Sequence, residues 1–191
     1  MVGKTRSIAI VSSIAAVYAV STVMLGSLGY SWVQVRISEA LTPLPYLLGV
    51  PAVFGLTLGV VVSNVFSPVG LPDLVFGPLL TLAAAILSYK VNFGRKMLAC
   101  IYPVVINGLG VSAYISGFYN VPYLVCVLTV GVGETISAVL IGYPLLCAIE
   151  RIVFHLTTEK KSSAKEAHAK SDATEQNTNE NQDSRRPTRS A

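Results

Sequence analysis

The sequence predicts an all-α polytopic membrane protein, a bundle of six transmembrane helices with its N- and C-termini in the cytoplasm. Three observations predict it. Hydrophobic residues make up 52% of the 191-residue chain and charged residues only 13%, against about 25% charged in soluble domains, and the mean hydropathy is +0.61. The charges are also segregated: nine lie between Ser7 and Phe154, and the other fifteen fall in the first six residues or after residue 158. A water-soluble core of this size needs charge on its outer surface, and lipid takes that place here. Finally, basic residues cluster at Lys4 and Arg6, at Lys90, Arg95 and Lys96, and at Arg151. Such clusters mark cytoplasmic ends of spans.

The first span covers Ser7–Gly29, long enough at about 1.5 Å per residue to cross a ~30 Å hydrocarbon layer. A cleaved signal peptide is the rival reading, but the apolar run is long for one and lacks an A-x-A site. Small residues four apart, Ser12-x-x-x-Ala16 and Ala15-x-x-x-Ala19, let another helix approach closely. Hydropathy alone then gives four more spans, at Leu41–Phe66, Leu74–Tyr89, Met97–Tyr119 and Pro122–Phe154. Five spans put the loop of Lys90, Arg95 and Lys96 outside the cell, against the positive-inside rule.

Parity is restored by splitting the stretch Ile37–Phe66, which carries Pro43, Pro45 and Pro51. Proline lacks an N–H and clashes with the preceding turn, so a break is expected near Gly49-Val50-Pro51. The expected pieces are a short second helix, about Ser38–Leu48, tilted or shielded by its neighbours, and a third, Pro51–Phe66. The third packs through Gly55-x-x-x-Gly59. Asp73 opens the fourth helix after the turn Ser67-Pro-Val-Gly-Leu-Pro72, and Gly108-Leu-Gly110 gives the fifth a close-packing face. The last is over thirty residues long, hence tilted and bent near Gly131-Val132-Gly133 or Pro144. Residues 1–156 thus form the transmembrane domain. Residues 157–191 form a cytoplasmic tail of Ser, Thr, Asn, Gln, Lys and Glu without apolar periodicity, expected to be disordered.

Composition also excludes functions. The tail's acidic and basic residues nearly cancel, leaving no patch for nucleic acid. Cys100, Cys126 and Cys147 lie singly in apolar runs, and both histidines fall at or beyond the last helix. No metal site is expected, and the cysteines read as small buried hydrophobes. No Ser-His-Asp order, HExxH, phosphate-binding loop or cofactor fingerprint is present, so neither an enzyme nor a bound cofactor is expected.

Ionisable groups inside such a bundle are costly and point to function. Glu134, Asp73 and Glu39 qualify, with Gln34, Arg36, Asn64, Thr81, Tyr102, Asn107 and Tyr114 around them. Simpler roles compete. Asp73 follows Pro72 at a helix start, where a carboxylate caps free N–H groups. Arg36 and Glu39, three apart, can pair with each other at the extracellular surface. Asn64 and Asn107 can bridge helices. Glu134 has glycine before it, apolar residues on both flanks and no basic residue within a turn, so a functional role is the better account of it. The set suits holding a polar, planar ligand.

Three stretches carry a resemblance to a known family. They are Val33-Gln-Val-Arg-Ile-Ser-Glu-Ala-Leu-Thr-Pro-Leu-Pro-Tyr46; Gly55-Leu-Thr-Leu-Gly-Val-Val-Val-Ser-Asn64 followed by Asp73-Leu-Val-Phe-Gly-Pro-Leu-Leu-Thr81; and Gly133-Glu-Thr-Ile-Ser137. With them the chain resembles the substrate-binding (S) components of energy-coupling-factor (ECF) transporters, of the QueT type associated with queuosine precursors. The likeness lies across most of residues 7–154 and leaves out the tail. It implies a six-helix bundle in the cell membrane that takes substrate from outside and has no ATPase activity. It also implies docking on a membrane coupling protein with two cytoplasmic ATPases, toppling to release cargo inward, and a docking stripe at Ala15 and Ala19.

The implied ligand is a 7-deazaguanine such as prequeuosine, or queuine. A guanine-like edge presents N1–H and an amine as donors beside a carbonyl acceptor. A buried carboxylate, Glu134 or Glu39, suits the donors, and Gln34, Arg36 or Asn107 suits the carbonyl. A second carboxylate is available for the aminomethyl cation of prequeuosine. Asp73 and Tyr46 complete the expected site, with Tyr46, Phe76, Tyr102 and Trp32 as candidates to stack on the ring, and the loop after the first helix as its lid. An S component for another vitamin-like cargo and a stand-alone homo-oligomeric secondary transporter are the alternatives.

Overall fold

A computed structural model describes residues 3–26, 36–156 and 158–159, which are mostly helical, with no strand among them. The chain divides into two units, Met1–Ala148 and Ile149–Ala191. In the second, residues 149–156 are helical. The first unit contains α1 (Lys4–Met24), a 3-10 turn (Ile37–Leu41), α2 (Pro45–Leu48), α3 (Val50–Asn64), α4 (Leu71–Lys90), α5 (Lys96–Tyr119) and α6 (Tyr123–Glu134), which continues into a π-helical stretch (Thr135–Ile141). Four helices, Lys4–Met24, Leu71–Lys90, Lys96–Tyr119 and Tyr123–Leu156, are long and apolar enough to cross a membrane.

In the first unit the helices pack in chain order, α1 on α3, α3 on α4, α4 on α5 and α5 on α6, and the 3-10 turn lies between α1 and the π stretch. Glycine contacts give the directions. A Cβ on Gly55 would meet Val11 and Ile14, and one on Gly59 would meet Ala15 and Tyr18, so α1 and α3 run parallel. Asn64 bonds to Asp73 at one end of the α3–α4 pair, and Gly49 approaches Tyr89 at the other, so α4 runs antiparallel to α3. The Ser88 hydroxyl donates to the carbonyl of Ala99 at 2.9 Å, and Gly108 faces Gly131, so α5 and α6 alternate in turn.

The segment before α3 departs from expectation. Residues 38–48 do not form one short helix. They form a 3-10 turn and a single α-helical turn joined by Thr42, Pro43 and Leu44. The prolines explain this: Pro43 and Pro45 have no N–H to give to a regular helix. A 3-10 turn also rises about 2.0 Å per residue, so fewer residues cover a given height. At one end of this segment Arg36 reaches Asp73, in the first turn of α4. At the other, the Tyr46 hydroxyl donates to the carbonyl of Gly94, beyond the last turn of α4. Residues 36–46 therefore run alongside most of a helix about 30 Å long.

Lipid cannot satisfy backbone polar groups, so an irregular crossing must be bonded internally and screened by protein. Both conditions hold. Successive short-range bonds run from Glu39 N to Arg36 O, Thr42 N to Glu39 O, Leu44 N to Leu41 O, Tyr46 N to Pro43 O and Gly49 N to Pro45 O. Ser38, Glu39, Ala40, Thr42, Pro43, Leu44 and Pro45 are buried. The expected break falls at Gly49, whose φ of +68° is a left-handed conformation that glycine adopts without a Cβ clash. Pro51 then occupies the first turn of α3, where its missing N–H costs nothing.

Candidate functional site

Three carboxyl groups are buried, Glu39 on the 3-10 turn, Asp73 on α4 and Glu134 on α6, and each is held by different elements. Asp73 is wholly buried. Its Oδ2 accepts from Arg36 Nη2 at 3.1 Å, its Oδ1 accepts the Tyr114 hydroxyl at 2.6 Å, and its backbone carbonyl accepts Asn64 Nδ2 at 2.8 Å. The role of helix cap is thereby corrected: α4 starts at Leu71 without a side-chain cap, and the Asp73 carboxylate instead ties the 3-10 turn to α5. A surface pair of Arg36 with Glu39 is likewise corrected, since both are buried and the ion pair of Arg36 runs to Asp73.

Glu39 lies on the 3-10 turn with 1% of its surface exposed. Tyr18 of α1 donates its hydroxyl to Glu39 Oε1, while Oε2 has no partner among the described residues. The turn is pinned to α1 a second time, where the hydroxyls of Thr22 and Ser38 meet at 2.7 Å. Glu134, at the junction of α6 with the π stretch, accepts Asn107 Nδ2 from α5 on Oε1 at 3.2 Å. Its Oε2, the Asn107 Oδ1 and the Ser137 hydroxyl are all buried and have no partner among the described residues. Single π turns inside α-helices recur at functional sites. This one packs on the 3-10 turn so closely that a Cβ on Gly142 would lie 3.0 Å from the Ala40 carbonyl oxygen. The charge of Glu39 acts on Glu134, and that of Arg36 on both. Among the described residues no three His, Cys, Asp or Glu side chains gather as metal ligands.

Of the expected site residues, the structure brings Arg36, Glu39, Asp73, Asn107 and Glu134 into one buried polar region. Tyr46 does not join them, since its bond to Gly94 holds it at the opposite end of α4. Tyr102 also points away, donating to the carbonyl of Val91 at 2.6 Å. Phe76 stacks on Tyr114, with centroids 6.0 Å apart, beside Asp73. Gln34 and Trp32 lie outside the described residues. Ala15 and Ala19 are buried, and Ala15 meets Gly59 of α3, so the exposed small-residue stripe on α1 is Ser12 and Ala16. Tyr18 and Ser137 are site residues that the sequence does not single out. The available signal for Tyr18 was a phenol amid an apolar helix, where a buried hydroxyl needs a partner.

A family model described as QueT transporter matches residues 8–151. No curated protein and no solved structure matches the chain.

Proposed function

We infer that this chain, which belongs to the QueT transporter family, is the substrate-binding membrane subunit of an ATP-driven importer of the ECF type. Its cargo is a 7-deazaguanine precursor of queuosine. One observation carries the ligand class: Glu39 and Glu134 are buried, and each keeps a carboxylate oxygen with no partner among the described residues. A buried carboxylate oxygen left unpaired costs free energy, and a ligand rich in N–H donors offsets it. The guanine-like edge of a deazaguanine supplies two adjacent donors.

The helix directions support six crossings. α1 and α3 run one way, with α5, while residues 36–49, α4 and α6 run the other. Lys4, Lys90, Arg95 and Lys96 then fall on one side, which the positive-inside rule makes cytoplasmic. The polar region of Arg36, Asp73 and Glu39 sits toward the opposite, outer end, where cargo arrives. Isothermal titration of the purified protein with prequeuosine should show saturable one-to-one binding. Mass spectrometry of protein prepared without added ligand should find a deazaguanine bound. A flavin or thiamine in its place would keep the S-component reading and overturn the cargo.

Docking on the coupling protein uses the exposed Ser12 and Ala16 stripe of α1, since Ala15 and Ala19 are occupied within the bundle. Ala16→Trp should abolish ATP-dependent uptake in cells holding the whole importer and leave binding by the isolated subunit unchanged, because a bulky side chain blocks close helix approach. Unimpaired uptake would move the docking surface elsewhere. Uptake that persists in a host without any coupling ATPase would favour a stand-alone transporter.

A further inference from the structure

We propose that the turn between α4 and α5 is a binding site for an acidic phospholipid. Phe93 enters the acyl region of the leaflet, and Lys90 and Arg95 hold the headgroup phosphate. None of the buried carboxyl groups takes part.

The turn is built to display Phe93. Residues Asn92, Phe93, Gly94 and Arg95 close with a bond from Arg95 N to the Asn92 carbonyl at 2.8 Å. Both central residues have positive φ, +47° at Phe93 and +71° at Gly94. Glycine, asparagine and aspartate are the usual residues in such a turn, and a bulky side chain there is strained. Asn92 holds the conformation. Its amide donates to the carbonyls of Ser88 and Tyr89 at 3.0 and 2.8 Å, and its Oδ1 accepts from Gly94 N at 2.9 Å. The ring of Phe93 gains little from packing in return, since the residue is 80% exposed. Strain that the fold does not need marks a place where the chain meets something else.

The surroundings identify what it meets. The hydroxyls of Tyr102 and Tyr46 donate to the carbonyls of Val91 and Gly94, on either side of Phe93, at 2.6 and 3.2 Å. Tyr89 stands in the last turn of α4. Tyrosines gathered at one end of spanning helices sit at headgroup depth, which puts an aromatic ring on this turn within reach of acyl chains. Charge completes the match. The first unit has three acidic residues, Glu39, Asp73 and Glu134, and all are buried. Five of its six basic residues, Lys4, Arg6, Lys90, Arg95 and Lys96, lie at the end that carries the turn, and Lys90 and Arg95 are exposed beside Phe93. A surface charged with one sign takes a partner of the other. A lipid phosphate with its acyl chains satisfies both the charge and the ring, whereas a free anion leaves the ring unmatched.

The test is native mass spectrometry of the intact, delipidated subunit in neutral detergent. It is offered equal amounts of phosphatidylglycerol and phosphatidylcholine with the same acyl chains. Phosphatidylglycerol should be retained on the order of tenfold more strongly, since each basic residue at a membrane surface contributes about fivefold before screening by salt. The double substitution Lys90→Gln with Arg95→Gln should reduce the preference to below about threefold, and the same change at Lys4 and Arg6 should leave most of it. Phe93→Asn, which suits the left-handed backbone, should weaken retention of both lipids by a common factor and raise the thermal midpoint of the lipid-free subunit. The side chains replaced are exposed, so the fold survives each change. Equal retention of the two lipids by the wild type, or a preference that survives Lys90→Gln with Arg95→Gln, would overturn the proposal and leave this end to an acidic protein surface. An equal loss from the Lys4 and Arg6 changes would overturn it too, by showing a diffuse basic end. Displacement of phosphatidylglycerol by inorganic phosphate alone would make the turn an anion site in which Phe93 has no part.

Discussion

Arg36→Ala should lower the stability of the bundle by about 3–5 kcal/mol, the usual cost of breaking a buried ion pair from one side. The size of the effect comes from what remains. Asp73 is wholly buried, and without Arg36 its carboxylate keeps only the Tyr114 hydroxyl. A charge stranded in this way has no water to relieve it. Replacing both partners by apolar side chains of similar size, Arg36→Met with Asp73→Leu, should recover most of the loss, since a buried pair gains little over a well-packed apolar one. Denaturant titration in mixed detergent micelles measures Arg36→Ala, the double variant and its two single substitutions, and the double-mutant cycle isolates the coupling. A loss under about 1 kcal/mol in Arg36→Ala would mean that the pair is solvated and the region around it open to water.

This pair also marks where reading the sequence stops. Hydropathy and the prolines together anticipate the apolar helices and the break at Gly49, because each is a local property of the chain. The partner of Asp73 is not local. Arg36 lies 37 residues away, and nothing near Asp73 distinguishes a carboxylate that caps its own helix from one that reaches across to another segment. Glu134 was legible for the converse reason, because its immediate surroundings hold nothing that would pair with it. Tyr46 shows the opposite failure. It sits seven residues after Glu39 in one resembling stretch, but that stretch crosses the bundle and carries its two ends apart. The 3-10 geometry of residues 37–41 was hidden too. Two prolines predict a disrupted helix, and which irregular form replaces it is decided by packing against α1 and the π stretch.

Tyr18 links the packing of the bundle to its polar region. Its Cβ lies against Gly59 of α3, and its hydroxyl ends on Glu39. Whatever displaces α1 from α3 therefore also disturbs the Glu39 carboxylate. Two glycine substitutions separate this effect from ordinary helix propensity. At Gly108 an added Cβ would be 3.6 Å from its nearest neighbour, an ordinary contact. Gly108→Ala should therefore stabilise the protein by about 0.5–1 kcal/mol, the usual gain for alanine within a helix.

At Gly59 the same Cβ would lie 2.8 Å from Tyr18 Cβ, 3.1 Å from the Ala15 carbonyl oxygen and 3.2 Å from Ala15 Cα. No flexible side-chain end is available to give way, so α1 itself must shift. Overpacking of this kind costs about 1–3 kcal/mol, enough to reverse the propensity gain, and Gly59→Ala should be destabilised where Gly108→Ala is not. The shift should also draw the Tyr18 hydroxyl away from Glu39, leaving that carboxylate with neither of its oxygens bonded. Ligand affinity should fall in Gly59→Ala while remaining unchanged in Gly108→Ala. Titration beside denaturant unfolding separates the two consequences, and a Gly59→Ala protein with lowered stability but intact affinity would show that Tyr18 serves packing alone.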